Sequence, residues 1–260
     1  MDLAAARNAL LAAFRARGRT LVAFSGGVDS GLVAKLARDA LDGGALAVIA
    51  DAESLARREL AGAEALAAEI GIPLRVVPVS ELANPAYAAN PADRCYFCRS
   101  GLADVLTGIA AKEGYRTIAD GIHASDLGDV RPGVRAMDEA GVWHPLLEFG
   151  LAKGDVRALA RDLGLSAWDR PSNACLSSRV PRGTPITLDV LRQVEAAEDV
   201  LRGRGFRQVR VRHRGTTARV EVSPDEVARL EAMQEEVAGA LRALGYRETV
   251  VDAAGYRAAA

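Results

Sequence analysis

The sequence has little that would mark a membrane protein, a nucleic-acid-binding protein or a secreted one. It contains no run of about 18 apolar residues, so we expect no transmembrane helix. The formal net charge of −1 argues against a chain whose main task is to grip nucleic acid, since that requires a broad cationic surface. The start, Met1–Ala4, lacks the basic flank and apolar core of a secretory signal.

Cysteine is also scarce. The chain has three cysteines, an odd number that is unsuited to a disulfide framework. In a chain with no export signal, this count predicts a reducing, cytoplasmic location. Thiols in that compartment serve as ligands or reactants more often than as covalent cross-links.

The hydrophobic pattern predicts an α/β fold. Short, wholly apolar strand-like segments alternate with helix-like segments, as in a doubly wound parallel sheet covered on both faces, where ligands sit at the carboxyl ends of the strands. The predicted strands are Leu21–Phe24, Ala45–Ala50, Leu74–Val79 and Tyr115–Ala119. The predicted helices extend to Arg17 and over Gly31–Leu41, Glu53–Ile70, Cys98–Lys112 and Lys153–Leu163.

A change in composition over Gly164–Pro185 predicts a second, smaller α+β domain. We place the boundary so that residues 1–180 form the larger domain and residues 181–260 the smaller one. The elements predicted beyond the boundary are a helix over Leu188–Arg202, strands over Phe206–His213 and Ala218–Val222, a single helix over Asp225–Leu244 and a strand over Arg247–Val251.

The joint between the first strand and the first α/β helix is Ser25-Gly26-Gly27-Val28-Asp29-Ser30. Backbone N–H groups at a glycine-rich helix start can close around a phosphate. The segment has neither the Gly-Lys-Ser/Thr ending of a Walker A motif nor the G-x-G-x-x-G spacing of a dinucleotide site. The alternative is an ordinary turn in which Ser30 or Asp29 caps the helix.

This SGGVDS segment resembles the PP-loop of ATP pyrophosphatases, a family that includes GMP synthetase, NAD synthetase and several tRNA-thiolating enzymes. The resemblance implies that ATP is cleaved between its α- and β-phosphates, that a substrate oxygen is adenylated, and that the loop holds pyrophosphate. It also implies Mg²⁺ near Asp29. The residues implied to bind ATP or pyrophosphate are Ser25, Gly26, Gly27, Asp29, Ser30, Asp51, Ser54 and Gly121.

Cys95 and Cys98 form a C-x-x-C at the start of a predicted helix, and Cys175 follows far along the chain. A cysteine near arginines or a helix start becomes more acidic and more nucleophilic. Several chemistries remain open: a structural zinc site completed by His123 or His144, a [4Fe–4S] cluster on three thiolates with one open iron, Cys175 as a lone sulfur donor, or inert buried thiols.

Together, SGGVDS, NPADRCYFCR and PSNACLSSR resemble the LarE-type ATP-dependent sulfur insertases, which help to make the nickel-pincer nucleotide cofactor of lactate racemase. The segments at 120–133 and 209–222 extend the resemblance over nearly the whole chain. It implies that ATP adenylates a carboxylate of pyridinium-3,5-biscarboxylic acid mononucleotide and that sulfur then replaces oxygen. Single-cysteine members sacrifice the sulfur at the position of Cys175. The presence of Cys95 and Cys98 as well implies a [4Fe–4S] cluster whose extra sulfide is replenished from a sulfide source.

Seven arginines and no acidic residue lie between Arg202 and Arg219. Strand alternation puts Arg210, Arg212 and Arg214 on one face. The absence of neighbouring carboxylates in the sequence favours phosphate binding over a merely solvated face.

The resemblance implies further roles. Arg179, Arg210 and Arg212 would bind the substrate phosphate, and the catalytic residues would be Cys175, Asp29 and Arg99. Glu198 would contribute at a subunit boundary of a homo-oligomer, a hexamer built from trimers. Two positions depart from the family pattern. Arg99 stands where lysine is more usual, and His123 stands in place of asparagine, where it could act as a fourth metal ligand.

Three other functions compete with this hypothesis. A cluster-dependent tRNA thiolase would bind tRNA in a salt-dependent way, which the near-neutral charge disfavours. An ammonia-using synthetase would need a glutaminase and would leave the cysteines unexplained. A nucleotide-binding regulatory protein with a zinc knot would contain one zinc and no iron or sulfide.

Overall fold

The computed structural model describes residues 2–126, 132–171 and 174–256. The helices are α1 (Leu3–Arg17), α2 (Val28–Leu41), α3 (Arg57–Ile70), α4 (Pro85–Ala88), α5 (Arg94–Glu113), α6 (Pro132–Glu139), α7 (Pro145–Glu148), α8 (Lys153–Asp162), α9 (Leu188–Gly203), α10 (Val227–Ala232) and α11 (Gln234–Ala243). The strands are β1 (Thr20–Ala23), β2 (Ala45–Asp51), β3 (Leu74–Pro78), β4 (Thr117–Ala119), β5 (Val209–Arg214), β6 (Thr217–Val222) and β7 (Glu248–Val251). Short 3₁₀ turns cover Ala124–Asp126, Leu176–Arg179 and Pro224–Glu226.

The chain divides into two compact units. The first comprises Met1–Glu81 and Asp93–Asn173, and the second comprises Leu82–Ala92 and Ala174–Ala260. In the part of the chain that the structure describes, no helix combines the length and apolar character needed to cross a membrane.

The first unit contains a four-stranded sheet in the order β3-β2-β1-β4, and every neighbouring pair is parallel. All four residues of β1 are buried, because helices cover both faces of the sheet. Val22 packs into one core with Phe14 of α1, while Leu21 packs on the other face with Leu106 of α5. The predicted parallel α/β fold is therefore confirmed, and β1 is central.

The second unit is a small α+β structure built on a three-stranded sheet in the order β5-β6-β7. β5 and β6 form an antiparallel hairpin, and β7 pairs with β6 in parallel. The valines of β5, Val209 and Val211, are buried in a core shared with α9, α10 and α11. The alternate residues of this strand, its arginines, consequently face the other side of the sheet.

One predicted helix differs in the structure. The segment 225–244 was expected to be a single helix, and this is wrong, since a 3₁₀ turn starts at Pro224 and the α-helix is interrupted at Met233. Both halves contribute to the same core, with Leu230 buried from α10 and Leu241 from α11.

The segment Leu82–Ala92 belongs to the second unit, although the sequence placed it in the larger domain. Asn90 is fully buried in a left-handed conformation, and its side-chain amide donates to the carbonyl oxygens of Pro181 at 2.8 Å and Thr184 at 2.9 Å. These hydrogen bonds connect the segment to residues beyond Asn173, which form the rest of the second unit.

We expect Asn90→Ala to lower the free energy of unfolding by about 2–4 kcal/mol, because it leaves two carbonyl oxygens without a donor. Asn84→Ala is the matched control. Asn84 is exposed and only caps the short α4 through Ala86 N–H, so its loss should cost about 1 kcal/mol. Urea unfolding followed by circular dichroism measures both, and equal losses would contradict this assignment of the segment.

Candidate active site

The glycine turn, residues 25–30, lies between the carboxyl end of β1 and the start of α2. Gly26 has a φ of 73°, and a Cβ atom at this position would lie 2.6 Å from the Cβ of Ala63 in α3. Only glycine permits both the positive φ and this close approach of α3. α2 begins at Val28 with Gly27 as its N-cap, so Asp29 and Ser30 lie inside the first turn and neither is the cap.

Two hydroxyl groups cross the turn. The Oγ atoms of Ser25 and Ser30 are 3.0 Å apart, and the Ser25 N–H donates to Ser30 Oγ at 3.1 Å. These contacts bring both ends of the turn together and leave glycine backbone at its centre. The turn therefore has the shape of a phosphate-binding loop at a helix start.

A second backbone segment closes against the turn from the end of β4. A Cβ atom on Gly121 would lie 2.7 Å from the backbone N of Ser30 and 2.8 Å from the carbonyl carbon of Asp29. The structure thus brings the predicted residue Gly121 into backbone contact with the glycine turn. Any side chain at position 121 would push these two segments apart.

Two cations that the sequence analysis missed also reach the turn. Lys153, at the start of α8, donates to both carboxylate oxygens of Asp29 at 2.6 Å, although the two residues are 124 positions apart. Arg170 donates to the carbonyl oxygen of Gly26 at 3.1 Å. No local pattern marks either residue, because their role depends on the folded path of the chain.

Asp51 is the last residue of β2, the neighbour of β1, and Ser54 follows it, so both lie at the same carboxyl edge of the sheet. The Asp51 carboxylate pairs with Arg57 at 2.5 Å, and Ser54 is buried. The predicted adenosine-side residues are therefore at the expected edge.

His123 lies in the first unit beside the glycine turn. It is buried, with Nε2 3.7 Å from Asp29 Oδ1 and Nδ1 3.3 Å from Asp126 Oδ2. This histidine, the predicted fourth metal ligand, thus has two carboxylate neighbours, Asp126 and the Asp29 of the glycine turn.

A buried histidine bridges two carboxylates immediately next to Gly121. His144 Nδ1 is 2.7 Å from Asp120 Oδ1, and its Nε2 is 3.0 Å from Asp138 Oδ1. Burial alone would lower the pKa of His144. The hydrogen bond and charge of Asp120, followed by those of Asp138, outweigh burial, and the pKa of His144 is raised above its ordinary value of 6.5.

The C-x-x-C pair lies in the first turn of α5. Cys95 is exposed and Cys98 is partly buried, and residues three apart in a helix share a face. Arg99 is on the same helix. Its Cγ lies 3.0 Å from the point where a Cβ atom on Gly133 of α6 would be. Cys175 is exposed and belongs to the second unit.

All three cysteines lie within the described residues, and none is in a disulfide. Across the described ranges, no group of three or more His, Cys, Asp and Glu side chains is arranged to hold a metal ion. Metal binding by Cys95, Cys98 and Cys175 therefore stays a prediction. Two thiols on one helical face do fit two ligand positions of a thiolate-bound cluster.

In the second unit, the Arg179 side chain contacts the backbone of Cys175. Its guanidinium forms a two-point ion pair with Glu198, with nitrogen–oxygen distances of 2.7 and 3.2 Å. Both side chains are only 1% exposed. Burial raises the pKa of Glu198, but the hydrogen bond and charge of Arg179 and the charge of Arg202 outweigh it and hold that pKa below its ordinary value. Glu198 is thus an interior residue of its own unit, which corrects its expected place at a subunit boundary.

The arginine face of β5 has carboxylate partners, contrary to the expectation from the sequence. Arg212 pairs with Glu221 of β6 at 2.9 Å. Glu221 stands opposite Arg210 in the hairpin register, a placement that the run of arginines could not reveal. Arg210 is buried, and its guanidinium lies over the ring of Tyr256 at 4.9 Å.

Burial and neighbouring charges both act on the Arg210 guanidinium. Burial lowers its pKa most, and the neighbouring charge of Arg179 lowers it further, against a smaller opposing effect of Glu198. A bound anion would relieve this repulsion. The structure therefore brings the predicted residues Arg179, Arg210 and Arg212 together within the second unit.

These features define an α/β protein with a PP-loop type of glycine turn. A family model described as NAD synthase matches residues 12–94. The pyridinium-3,5-bisthiocarboxylic acid mononucleotide synthase of Lactiplantibacillus plantarum is 37% identical over 256 residues, which cover 98% of this chain and 93% of that protein. The chain belongs to the LarE-type sulfur insertase family of PP-loop proteins.

Two further relatives are described only as uncharacterised. One, from Synechocystis, is 43% identical over 241 residues, covering 92% of this chain and 90% of that protein. The other, from Methanocaldococcus jannaschii, is 25% identical over 239 residues, covering 92% and 91% of the two chains. The similarity thus extends across both units.

We expect Gly121→Ala to reduce ATP affinity by at least about tenfold, because the added methyl group would have to displace the backbone of Ser30. Gly108→Ala in α5 is the matched control, since nothing lies within 4 Å of its Cβ position and alanine favours a helix. Calorimetric titration with a non-hydrolysable ATP analogue compares them, and equal affinities would contradict the contact.

The two histidines with shifted pKa values predict opposite pH effects. For His144 the folded-state pKa is raised, so its stabilisation is full below pH 6.5 and is lost as pH rises through that raised value. Burial lowers the pKa of His213, so its contribution is present above pH 6.5 and is lost as pH falls.

We therefore expect the stability difference between wild type and His144→Gln to shrink as pH increases above 6.5, whereas that for His213→Gln shrinks as pH decreases below it. Denaturant titrations over a pH series provide both differences. A His144 difference that grows with pH would contradict the bridged, protonated imidazole.

Proposed function

We propose that this protein is an ATP-dependent sulfur insertase that converts a carboxylate of pyridinium-3,5-biscarboxylic acid mononucleotide into a thiocarboxylate. The observation that carries the proposal is the near full-length similarity to the Lactiplantibacillus synthase, in a chain that also has the glycine turn and three cysteines. The reaction has two parts, adenylation of the carboxylate and replacement of oxygen by sulfur.

In the first part, a substrate carboxylate oxygen attacks the α-phosphorus of ATP, the bond to the β-phosphate oxygen breaks, and pyrophosphate leaves. The backbone of the glycine turn would hold this anion, for which its close-packed glycines and helix start are suited. The carboxylate of Asp29 would hold Mg²⁺. Lys153, already beside Asp29, supplies an ammonium group that offsets the charge of the departing pyrophosphate.

The substrate carries a phosphate group of its own, and the arginine cluster would bind it. Arg210 and Arg212 would supply the direct contacts, with Arg179 adding positive charge behind them. The local charge supports this role, since the charges of Arg179 and Arg212 both act on the buried guanidinium of Arg210.

In the second part, sulfur bonds to the acyl carbon, the bond from that carbon to the AMP oxygen breaks, and AMP leaves. Cys95, Cys98 and Cys175 would hold a [4Fe–4S] cluster, which supplies a sulfide on its one iron without a protein ligand. Arg99, beside the C-x-x-C pair, would balance the negative charge of the thiolates. The predicted hexamer and cytoplasmic location stay predictions.

The adenylation and sulfur-transfer parts can be separated experimentally. We expect wild type to form pyrophosphate, AMP and thiocarboxylate only when the pyridinium substrate is present. Cys175→Ala should still release pyrophosphate but lose the thiocarboxylate, because adenylation precedes the entry of sulfur. Chromatographic assays of pyrophosphate and AMP and mass spectrometry of the product test this. If wild type forms no AMP with this substrate, the proposal is wrong.

Sacrificial donation of sulfur from Cys175 is the second candidate, because that thiol is exposed and needs no partner thiol to react. It predicts a single turnover, after which the protein is lighter by one H₂S, with Cys95→Ser still active. Cluster-borne delivery predicts iron and acid-labile sulfide in anaerobically prepared protein, repeated turnover, and loss of both iron and turnover in Cys95→Ser.

We expect Arg212→Gln to raise the KM for the pyridinium substrate by about 10–100-fold, the effect of losing one charged hydrogen bond. Arg214→Gln, a change two residues along the same strand at an exposed position, should leave KM unchanged. The KM for ATP should not move in either variant. Equal substrate KM values for the two variants would contradict a phosphate site at Arg212.

A further inference from the structure

The short segment 174–179, which carries Cys175, is held by one buried guanidinium. Arg179 ends the 3₁₀ turn that follows Cys175, and its side chain folds back along that turn. Its Nη1 donates to the carbonyl oxygens of Ala174 at 2.5 Å and Cys175 at 3.0 Å, and to Ser178 Oγ at 2.9 Å. The Cys175 backbone is thus fixed by a residue four positions ahead of it.

The other edge of the same guanidinium is fixed by Glu198 from α9. Nε and Nη2 donate to the two carboxylate oxygens, so the guanidinium plane cannot rotate without breaking the pair. Glu198 is itself held by the backbone N–H of Val211 at 3.2 Å. The Cys175 carbonyl is therefore linked through two side chains to the central helix and the sheet of its unit.

Stability alone does not account for this arrangement. A fully buried ion pair pays a desolvation cost that often cancels its attraction, and apolar residues of similar volume would pack equally well. A planar guanidinium, in contrast, offers donors in fixed directions to two carbonyl groups at once. The geometry points to orientation of the backbone as its purpose.

The segment is also tethered at two further points. Tyr87 Oη and Ser177 Oγ are 2.6 Å apart in the interior, and Arg212 Nη1 donates to the carbonyl oxygen of Ser178 at 3.1 Å. The last bond connects the Cys175 segment to one of the two arginines proposed to contact the substrate phosphate.

We propose that Arg179, oriented by Glu198, is a positioning residue that fixes Cys175 for sulfur transfer. The inference rests on the proposed function, since it assigns Cys175 to that step. It differs from the phosphate-binding role in one respect: Arg179 acts through the carbonyl groups it holds, so a substitution that keeps its charge affects transfer of sulfur and not the affinity for substrate.

The first test needs neither nucleotide nor cofactor. In Arg179→Lys, a single ammonium group cannot hold both carbonyl groups and both carboxylate oxygens. We expect the amides of Ser178 and Val180, which donate to Cys175 and Ser177, to exchange hydrogen about tenfold faster than in wild type. Arg202→Met is the matched control, because Arg202 pairs with Glu198 at 2.6 Å and with Asp199. It should leave these two amides unchanged.

The second test measures thiocarboxylate formed per pyrophosphate released, because pyrophosphate leaves at adenylation and AMP leaves only when sulfur enters. We expect Arg179→Lys to lower this ratio about tenfold, with the substrate KM within about twofold of wild type, and Arg202→Met to keep the wild-type ratio. If Arg179→Lys does not fold, Glu198→Gln serves as the second variant. It keeps the shape of the side chain that holds Arg179, and it should shift both the amide exchange rates and the product ratio in the same direction. Because Glu198 cannot bind an anion, that effect cannot come from lost phosphate binding.

The outcomes separate the two proposals. An Arg179→Lys protein with wild-type amide exchange and wild-type coupling but a raised substrate KM overturns the positioning role and leaves phosphate binding. Equal changes in Arg179→Lys and Arg202→Met also overturn it, since they would reflect loss of the ion pair alone. If wild type releases no AMP with the pyridinium substrate, the proposed function fails first, and the amide-exchange result still decides whether Arg179 orders the segment.

Discussion

The glycine turn depends on backbone segments that approach more closely than any side chain would allow. Gly26 meets α3, and Gly121 meets the start of α2, both at distances where a Cβ atom would overlap its neighbour. These contacts leave no room for a side chain at either glycine of the site. The serine hydroxyls then join the two ends of the turn. The site is therefore a consequence of close packing at the carboxyl edge of a parallel sheet, where such sites form.

Charge is organised differently in the two units. In the first, the acidic residue of the turn, Asp29, forms an ion pair with Lys153. In the second, Arg210 is buried, and the charges of Arg179 and Arg212 add to burial in lowering its pKa. Each unit thus has cationic side chains of its own, and the proposed reaction uses two phosphate-bearing molecules.

The sequence revealed those features that are local. The glycine turn and the strands beside it were predicted because glycines, hydroxyls and apolar runs occupy contiguous positions. Lys153 was missed, because it reaches Asp29 from 124 positions away. Glu221 was missed for the same reason, because only the hairpin register shows that it stands across from Arg210 on the arginine face. The segment around Asn90 joins the second unit through side-chain bonds that leave no pattern in the chain.

The central claim is that ATP activates a carboxylate by direct attack of its oxygen on the α-phosphorus. The most direct measurement supplies the pyridinium substrate with ¹⁸O in both carboxylates and examines the AMP released. The account predicts that one labelled oxygen appears on the phosphate of AMP, since the bond from acyl carbon to that oxygen breaks when sulfur enters. Label in pyrophosphate, or AMP that carries none, would contradict it.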